Sequence, residues 1–145
     1  MSGGEVSGPA HWVAEIVVHD LAQARAALQA AAELGVEIEL CSAPGAAAYA
    51  GIGYLQALGQ AAGRELRIDC GDDAGLVMAA LRVGCRRLAF SGAPNVAAKL
   101  ADMAAQVGAE LCLDPPPPAA ICTPEDDAGA VLHALFNSAP PVPTS

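Results

Sequence analysis

The chain has 145 residues, of which 54% are hydrophobic and only 3% aromatic, and its formal net charge is −9 with a pI near 4.5. This length suits one domain whose core is built from Ala, Leu, Val and Ile. The acidic balance disfavours nucleic-acid and anionic-membrane partners, and no apolar run approaches the roughly 20 residues that cross a bilayer.

Units of strand, turn, helix and glycine recur along the chain. Hydrophobic patterning predicts strands at residues 13–18, 36–41, 64–69, 85–90 and 109–113. The helices between them end at glycines, namely Gly35, Gly63, Gly84 and Gly108. Alternating strands and helices predict a parallel sheet with right-handed crossovers.

A proline run interrupts this pattern after the fifth strand. Asp114 is followed by four prolines, which continue neither a strand nor a helix. Thr123, with Pro124 and acidic residues behind it, predicts the N-cap of a last helix. We therefore expect one α/β domain at residues 11–137, with flexible tails at residues 1–10 and 138–145.

The strands mostly alternate between apolar and polar residues. Such alternation predicts one face under the helices and one polar face, so we expect five parallel strands in a curled half-barrel, resembling half of a (βα)8 barrel. Glu65 and Arg87 are candidates for an ion pair on the polar face. The alternative architecture is a flavodoxin-like doubly wound sheet.

Strand parity predicts that reactive side chains gather at the carboxyl ends of the strands. The polar-face residues nearest those ends are His19, Cys41, Asp69, Ser91 and Asp114. We expect Asp69 to be an acid/base group, with His19 as a second catalytic candidate. The small-residue turns after the second and fourth strands suit a small anionic ligand. The predicted ligand-binding residues are Cys41, Ser42, Gly45, Gly71, Ser91, Gly92, Asn95 and Asp114.

Simpler interpretations stand beside these. Asp and Ser are ordinary caps and turn formers, and a buried cysteine usually packs as a small apolar group. A metal at His19, Asp69 and Asp114 is supported by no spacing motif, so no metal is predicted. Tyr49 and Tyr54 either flank the mouth of a pocket or pack.

Motifs identify no cofactor. Neither a P-loop nor a G-x-G-x-x-G after the first strand occurs, which disfavours the common nucleotide folds. The five cysteines form no C-x-x-C pair, and an odd number of them indicates reduced thiols and a cytoplasmic location.

Two stretches carry a resemblance to known proteins. The segments SAPGAAAYAG at residues 42–51 and DCGDDAG at residues 69–75 resemble an uncharacterised family of small bacterial α/β proteins. That resemblance spans residues 13–114 and implies that the two turns belong to one feature, without implying an activity. His19-Asp20, Asp69, Ser91 and Asp114-Pro115 also bear a partial, degenerate likeness to response-regulator receiver domains, in which a lysine stands where Asp114 is here.

Three functions follow as hypotheses. The first is a small-molecule-binding or assembly protein without catalysis, forming a homo-oligomer, most simply a dimer. The second is a lyase- or isomerase-like enzyme that acts on a small anionic metabolite with Asp69 as acid/base. The third is a degenerate receiver-like domain.

Overall fold

The computed structural model of the protein describes residues 13–115 and 117–138. Within them lie six strands: β1 (Val13–Val17), β2 (Glu37–Cys41), β3 (Ile68–Asp69), β4 (Arg87–Phe90), β5 (Glu110–Leu113) and β6 (Ala120–Ile121). The helices of the same residues are α1 (Leu21–Leu34), α2 (Ala46–Tyr49), α3 (Ile52–Ala62), α4 (Ala74–Arg82), α5 (Pro94–Gln106) and α6 (Ala128–Ser138).

The expected tails fall almost wholly outside this part of the chain. Residues 1–12 and 139–145 are not described, so the predicted tails there, and the start of the domain at residue 11, lie outside the described residues. Ser138 was expected in the second tail, but it is the last residue of α6.

The strands form two parallel three-stranded sheets, ordered β2–β1–β6 and β3–β4–β5. An isolated parallel bridge between Cys41 and Arg67 connects them. Around it, the Arg67 N–H donates to Leu40 O at 2.9 Å and the Ser42 N–H donates to Arg67 O at 3.0 Å. The five expected strands are therefore present but do not form one continuous sheet.

The third strand differs most from expectation. Residues 64–69 were predicted to be extended, but only Ile68 and Asp69 form a strand. The backbone of residues 64–66 instead packs closely on Gly59 of α3. A Cβ added to Gly59 would lie only 3.0 Å from Arg64 O. A sixth, short strand that the sequence periodicity did not indicate, β6, pairs with β1 on the side opposite β2.

The pairing also departs from the flavodoxin-like alternative. In that fold, β1 lies between β2 and β3. Here β1 lies between β2 and β6, and the residue before β3 bridges β2.

The helices form a row in the order α6, α1, α3, α4 and α5. α1 contacts α6 and α3, α3 contacts α4, and α4 contacts α5. The core beneath them contains the apolar strand residues expected from alternation, including Ile16, Ile38, Leu40, Ile68 and Leu88, all of which are buried. No helix of the described residues combines the length and the apolar character that crossing a membrane requires.

Side-chain caps explain three of the six helix starts in the described residues. Asp20 accepts a hydrogen bond from the Gln23 N–H and begins α1, and Asp73 accepts from the Leu76 N–H and begins α4. The helix predicted after the turn at residues 42–51 is α3, and the turn itself contains the four-residue helix α2. Gly51, between the two helices, has φ 95°, outside the helical region.

The last helix begins later than expected. Thr123 was predicted to cap it, but Asp127 does so: Asp127 Oδ1 accepts hydrogen bonds from the Gly129 and Ala130 N–H groups. Residues 123–126 form a turn that is held by the buried side chain of Gln23, whose Nε2 donates to Thr123 O at 2.6 Å and to Asp126 O at 3.0 Å.

Candidate functional site

The polar face of the strands carries a network of paired charges. We define the charged face by its five linked residues, Glu15, Glu39, Arg67, Arg87 and Glu110. The Arg67 guanidinium donates to both carboxylate oxygens of Glu15, at 2.9 and 3.1 Å, a bidentate arrangement with both side chains less than a fifth exposed. Arg87 forms an ion pair with Glu39, and its Nε lies 3.6 Å from Glu110.

The expected pairing of Glu65 with Arg87 is wrong. Glu65 instead accepts a hydrogen bond from the backbone N–H of Arg86 at 2.6 Å, and Arg87 reaches across to Glu39. The strand register explains this. Arg87 is level with Glu110 on β5 and with residue 67 on its other side, whereas residue 65 lies two positions nearer the amino end of the sheet.

A cleft of about 300 Å³ opens on the charged face, with Glu39, Arg67, Arg87, Glu110 and Cys112 among its lining residues. Each arginine has a carboxylate partner inside the protein, and the three carboxylates outnumber the two guanidinium groups. An anion that bound here would have to displace a carboxylate that already pairs with an arginine. We therefore interpret the charged face as a structural network and not as a ligand-binding site.

The carboxyl-end residues do not fall on one level. Cys41 is level with Val17 and Arg67, whereas Asp69 is level with Ala89, two residues farther along. Counting onward from the paired residues, His19 shares the level of Asp69, and Ser91 and Asp114 follow two residues higher. Because two residues of a strand span about 7 Å, the five side chains occupy three levels.

Asp69 takes part in a local turn. Its Oδ1 accepts a hydrogen bond from the Gly71 N–H at 2.8 Å, while its own N–H donates to Ser42 Oγ at 2.9 Å. Ser42 is buried, and through this hydrogen bond its hydroxyl connects the turn after β2 to the end of β3. The turn after β2 and the turn after β3 therefore meet here, and an acid/base role for Asp69 stays a prediction.

Cys41 is a buried thiol. Burial raises its pKa to about 12, so the thiol is protonated near neutral pH, and its nearest polar partner is Glu39 O at 3.9 Å. A cysteine reacts as a nucleophile only in its thiolate form. Because Cys41 keeps its proton, we interpret it as a packing residue.

The remaining predicted ligand-binding residues lie in the turns after β2, β3, β4 and β5 and in the first turn of α5. Ser91, Asn95 and Asp114 are exposed, and the Ser91 N–H donates to Gly71 O at 2.7 Å. Gly45 and Gly71 have positive φ, at 82° and 58°, which explains glycine at both. Gly92 lies over the ring of Phe90, where a Cβ would come within 2.3 Å of Cζ.

A second cleft lies at the carboxyl end of β1. We call it the tyrosine cleft; it has a volume of about 320 Å³ and is lined by residues that include Val18, His19, Tyr49, Tyr54, Leu55 and Pro124. Both tyrosines of the chain are here, 71% and 47% exposed at positions 49 and 54. Exposed aromatic side chains around a concave, partly apolar surface are typical of small-molecule sites.

His19 is held in one orientation at this cleft. Its Nε2 lies 2.7 Å from Cys122 O, and its backbone N–H donates to Gln23 Oε1 at 2.8 Å. A carbonyl oxygen only accepts, so Nε2 carries the proton and Nδ1 of the neutral ring is an acceptor. Tyr54 Oη lies 3.4 Å from His19 O and donates to it.

His19 thus lies in a cleft with residues that parity did not select. Tyr49, Tyr54 and Pro124 were not among the predicted site residues, although the only two tyrosines of a chain poor in aromatic residues lie five positions apart. That clustering was the available signal. No group of three or more His, Cys, Asp or Glu side chains placed to hold a metal ion is found within residues 13–115 and 117–138.

Comparison of the chain with protein-family models and with curated proteins found no match.

Proposed function

We propose that this protein binds a small molecule in the tyrosine cleft and does so without catalysis. The observation that carries the proposal is the cleft itself, where the described residues place both tyrosines and His19 at the carboxyl end of a parallel strand. Ligands of parallel α/β proteins bind at that end of the strands. The volume of about 320 Å³ is at the lower end of the range for ligand pockets.

Tyr49 and Tyr54 expose aromatic surface beside the same cleft, at 71% and 47%, so a ligand that covers both rings gains by burying apolar area. The alternative site on the charged face lacks this feature, because its charged groups already pair with one another. This difference favours the tyrosine cleft as the binding site.

The test is thermal stabilisation of the full chain across a panel of phosphorylated, carboxylated, aromatic and neutral ring metabolites. We expect at least one compound to raise the Tm of the parent protein, and the shift to disappear in Tyr49→Ala. Met103→Ala, an exposed apolar truncation on α5, is the matched control and keeps the shift. If no compound raises the Tm, the proposed function fails.

Asp69→Asn separates binding from catalysis. Because Asp69 is not among the residues that line the tyrosine cleft, the substitution leaves ligand-induced stabilisation unchanged under this proposal. Loss of the shift in Asp69→Asn, with turnover of the same compound by the parent protein, supports the lyase- or isomerase-like enzyme instead.

We further propose that the two sheets belong to one curled half-barrel with the charged face on its concave side. The support is the row of helices α6, α1, α3, α4 and α5, each in contact with the next, as expected for helices on one side of a sheet. A doubly wound sheet divides its helices between both faces. An experimental structure with helices on the charged face would contradict this proposal.

A homodimer is the assembly we propose. The outermost strands β5 and β6 each have one strand neighbour within the described residues, and they expose Leu113 (43%) and Ile121 (59%). Open strand edges with apolar side chains favour association.

We expect sedimentation of a species of about 29 kDa, twice the 14.5 kDa of the chain, and a shift towards monomer in Ile121→Lys. A parent protein that sediments as a monomer overturns the dimer.

We also propose a cytoplasmic location, on the basis of the five free thiols.

A further inference from the structure

We infer that the ligand of the tyrosine cleft is an uncharged planar aromatic compound of one or two rings that carries a hydrogen-bond donor. This inference rests on the proposed function and names the chemical class that the cleft accepts. Four features of the cleft lead to it: its volume, its aromatic walls, the charge of its lining residues and the orientation of one imidazole.

The volume indicates how much of a ligand the cleft can bury. A cavity of roughly 150 Å³ inside a protein accommodates benzene. The tyrosine cleft has about twice that volume, about 320 Å³, which is room for one or two fused rings.

The walls select a ring. Val18 and Leu55 are buried and form an apolar floor, while Tyr49 and Tyr54 expose their rings at the sides. Aromatic rings stack on or meet the edge of other rings with a gain beyond the burial of apolar area. A ligand with a flat apolar face therefore covers both tyrosines at once.

The charge of the lining residues disfavours an ion. None of the described residues that line the cleft is Asp, Glu, Lys or Arg, so they offer a charged ligand no fixed charge to compensate for lost hydration. The net charge of −9 further disfavours an anion.

His19 supplies the polar contact. Because Nε2 is engaged by Cys122 O, the neutral ring presents Nδ1 as a hydrogen-bond acceptor, and Nδ1 makes no hydrogen bond within the described residues. An acceptor selects a ligand with an N–H or O–H group and rejects the same ring without one.

The test compares indole, which has an N–H, with 1-methylindole, which does not, by titration calorimetry of the full chain. A single hydrogen bond contributes about 0.5–1.5 kcal/mol, so we expect indole to bind up to roughly tenfold more tightly. In His19→Leu, whose side chain has no hydrogen-bond acceptor, the difference between the two ligands disappears. Tyr49→Ala weakens both ligands, and Met103→Ala weakens neither.

Benzoate and tetramethylammonium are the charged comparison probes. Tighter binding of either one than of indole, or equal binding of indole and 1-methylindole to the parent protein, overturns the inference. If His19→Leu does not fold, as judged by circular dichroism, the comparison of the four probes on the parent protein and on Tyr49→Ala still decides the matter.

The two proposals fail in different ways. If no ring compound binds but another member of the metabolite panel raises the Tm in a Tyr49-dependent manner, the ligand class is wrong and the binding function stands. If nothing in the panel binds, both are wrong.

Discussion

Gly92 shows how one position constrains the turn after β4. Its Cα lies over the ring of Phe90, which is 1% exposed and therefore cannot move towards solvent without opening the core. The sequence marks residue 92 only as a turn glycine and a candidate anion contact. The requirement for glycine here comes from a neighbour two positions away, and its cause is steric.

Gly92→Ala is expected to lower the free energy of unfolding by about 1–3 kcal/mol, because the added methyl group overlaps the Phe90 ring. Gly53→Ala is the matched control: Gly53 lies in α3, where an added Cβ would point into open space, and alanine favours the helix by up to about 1 kcal/mol. Urea denaturation of both variants measures the difference. Equal midpoints would contradict the steric argument.

The buried thiols make stability depend on alkaline pH. Burial raises the pKa of Cys41 and of Cys70 to about 12, from an ordinary value of 9.0. Between pH 9 and 12 the unfolded chain releases these protons and the folded chain keeps them. Stability is therefore complete below about pH 9 and decreases as the pH rises towards 12.

Each thiol contributes a slope of at most about 1.4 kcal/mol per pH unit in that window. We expect Cys70→Ala to reduce the slope of unfolding free energy against pH between 9 and 11, whatever its effect at pH 7. Urea melts at half-unit intervals measure the slope. An unchanged slope in both Cys70→Ala and Cys41→Ala would show that these thiols are not protected from titration.

At the scale of elements, α6 illustrates a competition between two local starts. Thr123 followed by proline and acids matches the N-terminal signature, and Asp127 followed by Ala and Gly matches it as well. The choice is made by distant contacts: the Cys122 N–H donates to Val17 O, and Gln23 holds the carbonyls of Thr123 and Asp126. These contacts hold residues 123–126 in a turn, so α6 begins only at Ala128.

Asp127→Ala is expected to lower the free energy of unfolding by about 1 kcal/mol, because two N–H groups of α6 lose their acceptor. Thr123→Ala is the paired variant and costs under about 0.5 kcal/mol, since Thr123 is exposed and does not cap the helix. Thermal or urea melts distinguish the two. A larger loss in Thr123→Ala would restore the start that the sequence suggested.

At the scale of the whole molecule, Arg67 joins the two sheets. Its backbone makes the bridge to β2, and its guanidinium spans β2 to reach Glu15 on β1 at 2.9 and 3.1 Å, with Glu39 at 3.9 Å. A bidentate pair with both side chains largely buried is geometrically specific, so it fixes how one sheet lies against the other.

Arg67→Met is expected to cost about 2–4 kcal/mol, because Glu15 and Glu39 lose a cationic partner in a largely dehydrated place. Arg25→Met, on the exposed face of α1, is the control and changes stability by under about 0.5 kcal/mol. A double-mutant cycle with Glu15→Gln measures the coupling of the pair. Coupling near zero would show that the charged face does not hold the sheets together.

The sequence by itself determined the repeated strand–helix units, the division of strand residues into a buried apolar set and a charged set, and most helix ends. Those features depend on contacts within a few residues and on the two-residue period of a strand. It also marked His19 and the turn at residues 42–51 as parts of a site.

Only the tertiary structure decided the division into two sheets, the partners of Arg67 and Arg87, and the meeting of His19 with Tyr49, Tyr54 and Pro124. The physical reason is that register between strands and the path of the chain after the prolines bring together residues that are tens of positions apart. Local pattern carries no information about which strand lies beside which, or how far each is shifted.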